Sequence, residues 1–265
     1  MKRVRRPLSR ISRASAFASL LALAVAGALG PLAARGATNE AASAASQPST
    51  EITPAEKLIF TTDHLHDVAP QTELDYAMEA SGKDAGAADV VRVLVTSQGN
   101  TKGDAKVSDH SGAVPLPTSG LPCNPVIIYF LERDITEMQT LTGGQKRYFQ
   151  QRLRLALAQG PKIASAMSRI GGKPVAVRQI VVQPYLDDPN ADRFRQYTGK
   201  RYTFELADAL PGGVARIRTE VPGPNNDFVH PLSTETLTFQ AAVRKLPESG
   251  KTAPEKSSGA PRASR

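Results

Sequence analysis

Residues 124–160 read NPVIIYFLERDITEMQTLTGGQKRYFQQRLRLALAQG and contain most of the large apolar side chains that stand close together in this chain. Asn124 is a favoured N-cap residue, and Pro125 suits the first helical position, where its missing N–H is no loss. The apolar residues that follow are spaced three or four apart, on one face of a helix: Ile127, Leu131, Ile135, Met138 and Leu141. Gly143 and Gly144 supply the positive φ that a helix end favours. We therefore predict a helix that ends at this glycine pair.

A second helix is predicted from Gln145 to the Gly160-Pro161 stop. Its inward-facing residues would be Phe149, Leu153, Ala156 and Leu157. The six apolar residues Val126–Leu131 also suit a buried strand, and this alternative stays open at the level of sequence. The Asn-Pro pair before them and the acidic residues after them favour the helical interpretation, in which residues 132–134 form a solvated face.

The first 36 residues have the features of an export signal. Residues 2–13 contain six Lys or Arg, and an Ala- and Leu-rich apolar run follows over residues 14–34. Ala34-Arg35-Gly36 is an acceptable small-x-small cleavage site. The sequence therefore predicts a signal peptide at 1–36 and a periplasmic protein without a stable membrane span after cleavage. A twin-arginine route through Arg5-Arg6 and an uncleaved anchor are the alternatives.

The net charge of +8 belongs mainly to this export signal. Residues 1–36 contain seven Lys or Arg and no acidic residue, which leaves +1 for the rest of the chain. The last 19 residues, 247–265, add four basic and two acidic side chains. A folded body near neutrality has no basic surface of the kind that nucleic acid requires, so we expect no nucleic-acid partner.

Low apolar content marks two segments outside the predicted fold. Residues 37–53 are rich in Ala, Ser and Thr and are predicted to be a flexible leader. Residues 247–265 are rich in Pro, Ser, Gly and Lys and are predicted to be a disordered tail. The range 54–246 remains as a single domain.

Alternating apolar and polar residues predict about eight strands, at 74–79, 91–96, 105–109, 163–170, 174–182, 202–206, 215–221 and 237–243. Gly171-Gly172 joins two of them as a hairpin. The run 112–122 is rich in Pro, Gly and Ser and is predicted to be a loop that leads into the helices. Alternation favours an antiparallel sheet with one covered face. The predicted fold is α+β, with a curved, mostly antiparallel sheet packed on a helical pair inserted after the third strand.

Motifs for catalysis or cofactor binding are absent from the sequence. It contains no G-x-S-x-G, H-E-x-x-H, C-x-x-C or G-x-x-x-x-G-K-[ST] pattern, and Cys123 is the only cysteine. His64 and His66 could bind a metal together with His110 or His230, and Asp187-Asp188 could serve acid–base chemistry or Ca²⁺. A solvated turn and a helix-capping turn explain these residues more simply. We therefore predict no catalytic residue, no metal and no cofactor.

Aromatic and aliphatic side chains supply the candidate ligand site. If the sheet and helices enclose a cavity, its lining is predicted to be Tyr76, Val93, Tyr129, Phe130 and Phe204. An ordinary packed core is the alternative for the same residues.

The layout of an export signal, about eight antiparallel strands and a helical insertion resembles the periplasmic lipoprotein-carrier architecture, an unclosed barrel whose helices plug an apolar cavity. The segments NPVIIYFLERDITEM and YFQQRLRLALAQ also resemble uncharacterised exported envelope proteins of Gram-negative bacteria. The carrier resemblance implies binding of an acyl chain or another apolar ligand without catalysis. The predicted function is thus a non-catalytic cell-envelope protein that binds an apolar ligand or a protein partner. A periplasmic hydrolase with scattered Asp and His residues and a purely structural component are the alternatives.

Overall fold

A computed structural model of the protein describes residues 51–82, 85–97, 105–117 and 120–245. All described residues belong to one compact unit. The predicted signal peptide, the leader up to residue 50 and the predicted tail lie outside the described residues.

The described residues form nine strands in one open antiparallel sheet. In chain order the strands are β1 (Thr72–Gly82), β2 (Asp89–Val95), β3 (Ala105–Asp109), β4 (Gly112–Val114), β5 (Ile163–Ile170), β6 (Lys173–Val182), β7 (Arg201–Leu206), β8 (Val214–Val221) and β9 (Ser233–Arg244). The order across the sheet is β4-β3-β2-β1-β9-β8-β7-β6-β5. Two meanders therefore meet where the first strand pairs with the last.

The structure confirms the α+β class, the antiparallel sheet and all eight predicted strands. The ninth strand, β4, lies at the start of the segment that was predicted to be a loop. It has only three residues, Gly-Ala-Val, so it is too short to show an alternating pattern. The helical pair consequently follows the fourth strand rather than the third.

Three α-helices accompany the sheet among the described residues: α1 (Pro54–Glu56), α2 (Pro125–Thr142) and α3 (Lys146–Ala158). A single π-helical turn, Lys57–Thr61, continues α1. The helical interpretation of Val126–Leu131 is correct, and the strand alternative is wrong. Asn124 caps α2 through its side chain, and Gly143 ends the helix with φ 68°. None of the described helices is long and apolar enough to cross a membrane.

Side-chain hydrogen bonds show that α2 lies across one face of the sheet. The helix contacts four different strands or their ends, through the pairs Asn124–Tyr76, Tyr129–Asp109, Arg133–Glu235 and Asp134–Tyr202. The predicted inward residues of α2 are buried, except that Leu141 is 45% exposed. Asp134 departs from the predicted solvated face, because its residue exposure is 0%.

Contacts on the opposite face of the sheet show that the part from β5 to β9 is strongly curved. Arg216 of β8 donates a hydrogen bond of 3.1 Å to the Arg169 carbonyl oxygen of β5, although two strands separate β8 from β5. Ser168 of β5 likewise donates to Glu205 of β7 at 2.7 Å. A flat sheet would hold β5 and β8 about 14 Å apart, so these contacts require strong curvature.

Candidate functional site

The five residues predicted to line a ligand cavity all lie in one buried hydrophobic cluster. Tyr76, Val93, Phe130 and Phe204 are 0% exposed, and Tyr129 is 4% exposed. Side chains without exposed surface are packed against protein atoms, so a ligand could contact them only after their neighbours moved apart. Their role as cavity lining stays a prediction.

The two tyrosine hydroxyls in this set have protein partners. Tyr76 Oη accepts a hydrogen bond of 2.8 Å from Asn124 Nδ2, and Tyr129 Oη donates to Asp109 Oδ2 at 3.0 Å. Burial raises the pKa of both tyrosines, so both hydroxyls keep their protons at neutral pH. These contacts attach the first turn of α2 to β1 and β3.

His64, a residue of the hydrolase alternative, uses both ring nitrogens inside the fold. Its Nδ1 accepts from the Asn124 backbone N–H at 3.2 Å, so Nε2 carries the proton and donates to the Leu58 carbonyl oxygen at 3.0 Å. Burial lowers the pKa of His64, which keeps the ring neutral. This histidine joins the start of α2 to the π-helical turn.

Asp188, the second residue of that alternative, has a separate set of partners. Its carboxylate forms an ion pair of 2.8 Å with Arg152 Nε and accepts from the Tyr148 hydroxyl and from the Asn190 backbone N–H. Asp188 therefore stabilises a turn and attaches it to α3, whereas the short 3₁₀ turn Ala191–Arg193 that follows has Asn190 at its N-cap and no side-chain cap. Among the described residues, neither His64 nor His66 forms a hydrogen bond or an ion pair with Asp187 or Asp188.

Among the described residues, two clusters of potential metal ligands have atoms within 4.8 Å of one another: Asp89, Asp109 and His110, and Asp134, Glu137 and Glu235. In the first, His110 Nδ1 contacts Asp89 Oδ2 at 2.6 Å. In the second, protein cations hold the two buried acids, because Lys200 contacts Asp134 and Arg133 contacts Glu235. Internal partners thus occupy oxygens in both clusters that a cation would need.

A groove between the helices is the candidate site that the structure adds. We call it the helical groove and define it by its floor and rim. The floor consists of Phe60, Leu121, Ile128, Leu131, Ile135 and Leu153. The rim consists of Glu56, Glu132, Arg147, Gln150, Gln151 and Arg154. Its volume is about 640 Å³, and it opens to solvent.

The two long walls of the helical groove follow from helical periodicity. On α2, Ile128, Leu131 and Ile135 recur at spacings of three and four residues and form an apolar stripe. On α3, Arg147 and Arg154 stand seven residues apart, with Gln150 and Gln151 between them. One wall is therefore apolar and the facing wall is polar and cationic.

The third wall comes from the segment that precedes the sheet. Thr53 and Glu56 form a capping box on α1, and the Thr53 hydroxyl donates to the Leu157 carbonyl oxygen of α3 at 3.0 Å. This contact attaches α1 to the end of α3. The π-helical turn that follows then places Phe60 in the groove.

The charged residues of the rim differ in whether their side chains have hydrogen-bond partners within the protein. Glu132 Oε1 accepts from Gln150 Nε2 at 2.9 Å, and Glu56 Oε2 accepts from the Thr53 backbone N–H at 3.0 Å. Arg147 and Arg154 are exposed, and neither forms a side-chain hydrogen bond or ion pair with another described residue. The basic groups of the rim are therefore available to a ligand, whereas the acidic groups already have donors.

Sequence reasoning missed the helical groove, although one signal for it was present. Six consecutive apolar residues, Val126–Leu131, are more than one face of a helix can hold. At least one of them must then point away from the sheet, and Ile128 is that residue in the groove. The contributions of Phe60 and Leu121 come from distant segments and have no local signal.

Comparisons with protein families and with curated proteins gave no match. No protein-family profile matches the sequence, and no curated protein matches it.

Proposed function

We propose that this protein is a non-catalytic, exported cell-envelope protein that binds the apolar chain of an amphiphilic ligand in the helical groove. One observation carries the proposal: a groove of about 640 Å³ has an apolar floor, a polar rim and an opening to solvent. Small-molecule sites have volumes of about 300–1,000 Å³ and combine apolar walls with a few polar groups.

The size of the groove favours a small ligand over a folded protein partner. Twelve residues line it. A stable protein interface involves about 20–30 residues on each side. An acyl chain needs only a narrow apolar floor, and its head group can stay in water at the rim. The export signal predicted at residues 1–36 supports this ligand class, because an exported protein would meet envelope lipids.

The test is binding of a fluorescent acyl-chain probe to the purified mature protein. We expect Ile128→Asp to weaken binding at least tenfold, because a carboxylate on the apolar wall must lose water when the chain binds. Ile128 is only partly buried, so the substitution leaves the core intact. Leu141→Asp is the matched control, since Leu141 lies on the same helix, is 45% exposed and does not line the groove.

Both variants should keep the thermal unfolding midpoint close to that of the parent protein. Unchanged binding by Ile128→Asp would place the ligand elsewhere, for example among the buried residues Tyr76 and Phe204, and would contradict the groove. Absence of probe binding to the parent protein would contradict the proposed function as a whole.

A further inference from the structure

We infer that the ligand of the helical groove carries an anionic head group, a carboxylate or a phosphate on a single apolar chain, and that Arg147 and Arg154 bind it. This inference rests on the proposed function and names the class of ligand. It is carried by the distribution of charge around the rim.

The positions of the two arginines make joint binding possible. They stand seven residues apart on α3, which is about 10.5 Å along the helix axis and close to two full turns. They therefore project from the same face, toward the groove that both line. Their long side chains can converge on a group near Gln150 and Gln151. A guanidinium presents paired N–H donors that match carboxylate and phosphate oxygens.

The two arginines favour an anion over a cation on the α3 side of the rim. Glu132 and Glu56 accept hydrogen bonds from Gln150 and Thr53, so part of their capacity is already used. Arg147 and Arg154 have no such partner among the described residues. An anionic head on the α3 side gains two charge-assisted contacts, while a cationic head would face both arginines.

Glu132, on the opposite helix α2, determines how the ligand is oriented in the groove. Its carboxylate would repel an anion on the α2 wall, where the apolar stripe of Ile128 and Ile135 also lies. The chain of the ligand should therefore lie along α2 and its head along α3. A neutral head group of the same size can accept a hydrogen bond from either arginine, but it lacks the charge that strengthens this bond.

The experiment compares four ligands with one twelve-carbon chain: dodecanoate, dodecyl phosphate, dodecanol and dodecylamine. Each is titrated below its critical micelle concentration, as a competitor of a neutral fluorescent acyl probe. We expect the two anions to bind at least tenfold more tightly than dodecanol, and dodecylamine to bind most weakly. Raising the salt concentration should narrow these differences, because the rim is exposed. The tighter of the two anions identifies a carboxylate or a phosphate as the source of the charge.

The decisive variant is Arg147→Gln combined with Arg154→Gln. It should reduce the affinity for the preferred anion at least tenfold, to about that for dodecanol, and leave dodecanol binding unchanged. Lys162→Gln combined with Lys173→Gln is the matched control, because it removes two exposed positive charges from the β5–β6 hairpin. This control should bind every ligand as the parent protein does.

The outcomes separate the two proposals. Equal affinity for anions and dodecanol, with both weakened by Ile128→Asp, would overturn the anionic head group and support the groove. An anion preference that the double arginine variant leaves intact would overturn the assignment of these two residues. Binding of none of the four ligands or the probe would overturn the proposed function itself.

Discussion

Asp134 lies on α2 with 0% of its residue surface exposed, and two groups from the sheet side hold its carboxylate. Lys200 Nζ contacts Oδ1 at 2.5 Å, and the Tyr202 hydroxyl donates to Oδ2 at 2.5 Å. Burial and the nearby Asp134 carboxylate raise the pKa of Tyr202 well above its ordinary value, so the hydroxyl stays a donor. Buried ion pairs add little net stability. A shift of the helix that separated the two charges would nevertheless cost free energy, because it would leave a buried charge unpaired. We infer that this cluster fixes the position of α2 on the sheet.

The neighbouring residue Arg133 has a side chain that is 44% exposed, yet it forms an ion pair with a nearly buried carboxylate. Its Nε donates to Glu235 Oε1 at 2.7 Å, and the Glu235 side chain is only 10% exposed. Burial raises the pKa of Glu235 above its ordinary value of 4.5, and Arg133 partly offsets that rise. Arg133 therefore limits the cost of a buried carboxylate.

The pH dependence of stability tests this pair. Above pH 4.5 the unfolded chain releases the Glu235 proton more readily than the folded chain, because the folded pKa is raised. The folded state then binds more protons, so stability falls as pH rises through this window. Arg133→Met should increase that loss. We expect a small cost at pH 4 and about 1–2 kcal/mol at pH 7, measured by urea unfolding.

Glu235→Gln supplies the control background, since its amide does not titrate. In that background Arg133→Met should cost the same at both pH values. If Arg133→Met lowers the free energy of unfolding equally at pH 4 and pH 7 in the protein that keeps Glu235, the pair does not act through the charge of Glu235.

At the scale of the element, the N-terminus of α2 depends on Asn124. Its Oδ1 accepts from the Val126 N–H at 3.1 Å, which caps the helix, and its Nδ2 donates at 2.8 Å to both Tyr76 Oη and the Gly212 carbonyl oxygen. Gly212 has φ 80°, and a Cβ there would lie 2.8 Å from Asn124 Nδ2. One amide thus joins α2 to β1 and to the β7–β8 turn.

Asn124→Asp tests whether this amide or the cap alone stabilises the helix. Aspartate is an equally good N-cap residue, but it has no Nδ2 donor and would place an oxygen against the Gly212 carbonyl. We expect a loss of about 1–3 kcal/mol in the free energy of unfolding. Asn225→Asp makes the same chemical change at an exposed turn residue with φ 59°, where aspartate is tolerated, and should cost less than about 0.5 kcal/mol. Equal costs for both variants would mean that capping is the only role of Asn124.

In the molecule as a whole, the first strand of the sheet pairs with the last strand, at the middle of the sheet. β1 pairs with β9 over eleven residue pairs, from Thr72–Arg244 to Gly82–Ser233. These pairs connect residues more than 150 positions apart, so the centre of the sheet forms only when most of the chain is present. Formation of such long-range pairs costs loop-closure entropy, which makes slow folding the expectation.

Export is the prediction that concerns the whole chain. The basic residues before residue 14 and the apolar run after it predict cleavage near Ala34-Arg35-Gly36. We expect N-terminal sequencing of the protein from the periplasmic fraction to show a mature chain that begins near Ala37. Changing the residues at the predicted cleavage site, Ala34→Leu and Gly36→Leu, should leave a longer, membrane-associated form. An intact Met1 on the wild-type product would contradict cleavage.

Sequence patterns alone predicted both long helices and eight of the nine strands among the described residues. The spacing of Ile127, Leu131, Ile135 and Met138, together with the Asn124 cap and the Gly143 stop, favoured α2 over a buried strand, because helix periodicity and caps are local properties. The alternation around Tyr76 or Phe204 predicted strands for the same reason. Local patterns also identified many of the buried apolar side chains, but Leu141 is 45% exposed, Ala156 is half-buried, and the burial of Asp134 was not predicted.

Only the tertiary structure decided how those elements combine. The pairing of β1 with β9, the burial of Asp134 against Lys200 and Tyr202, and the meeting of Phe60 with Ile128 in the helical groove each join residues that are distant in sequence. A local pattern shows that a side chain is apolar or charged, but it does not show its partner. Partners depend on which surfaces the folded chain brings together, and the groove exists because α1, α2 and α3 leave a space between them.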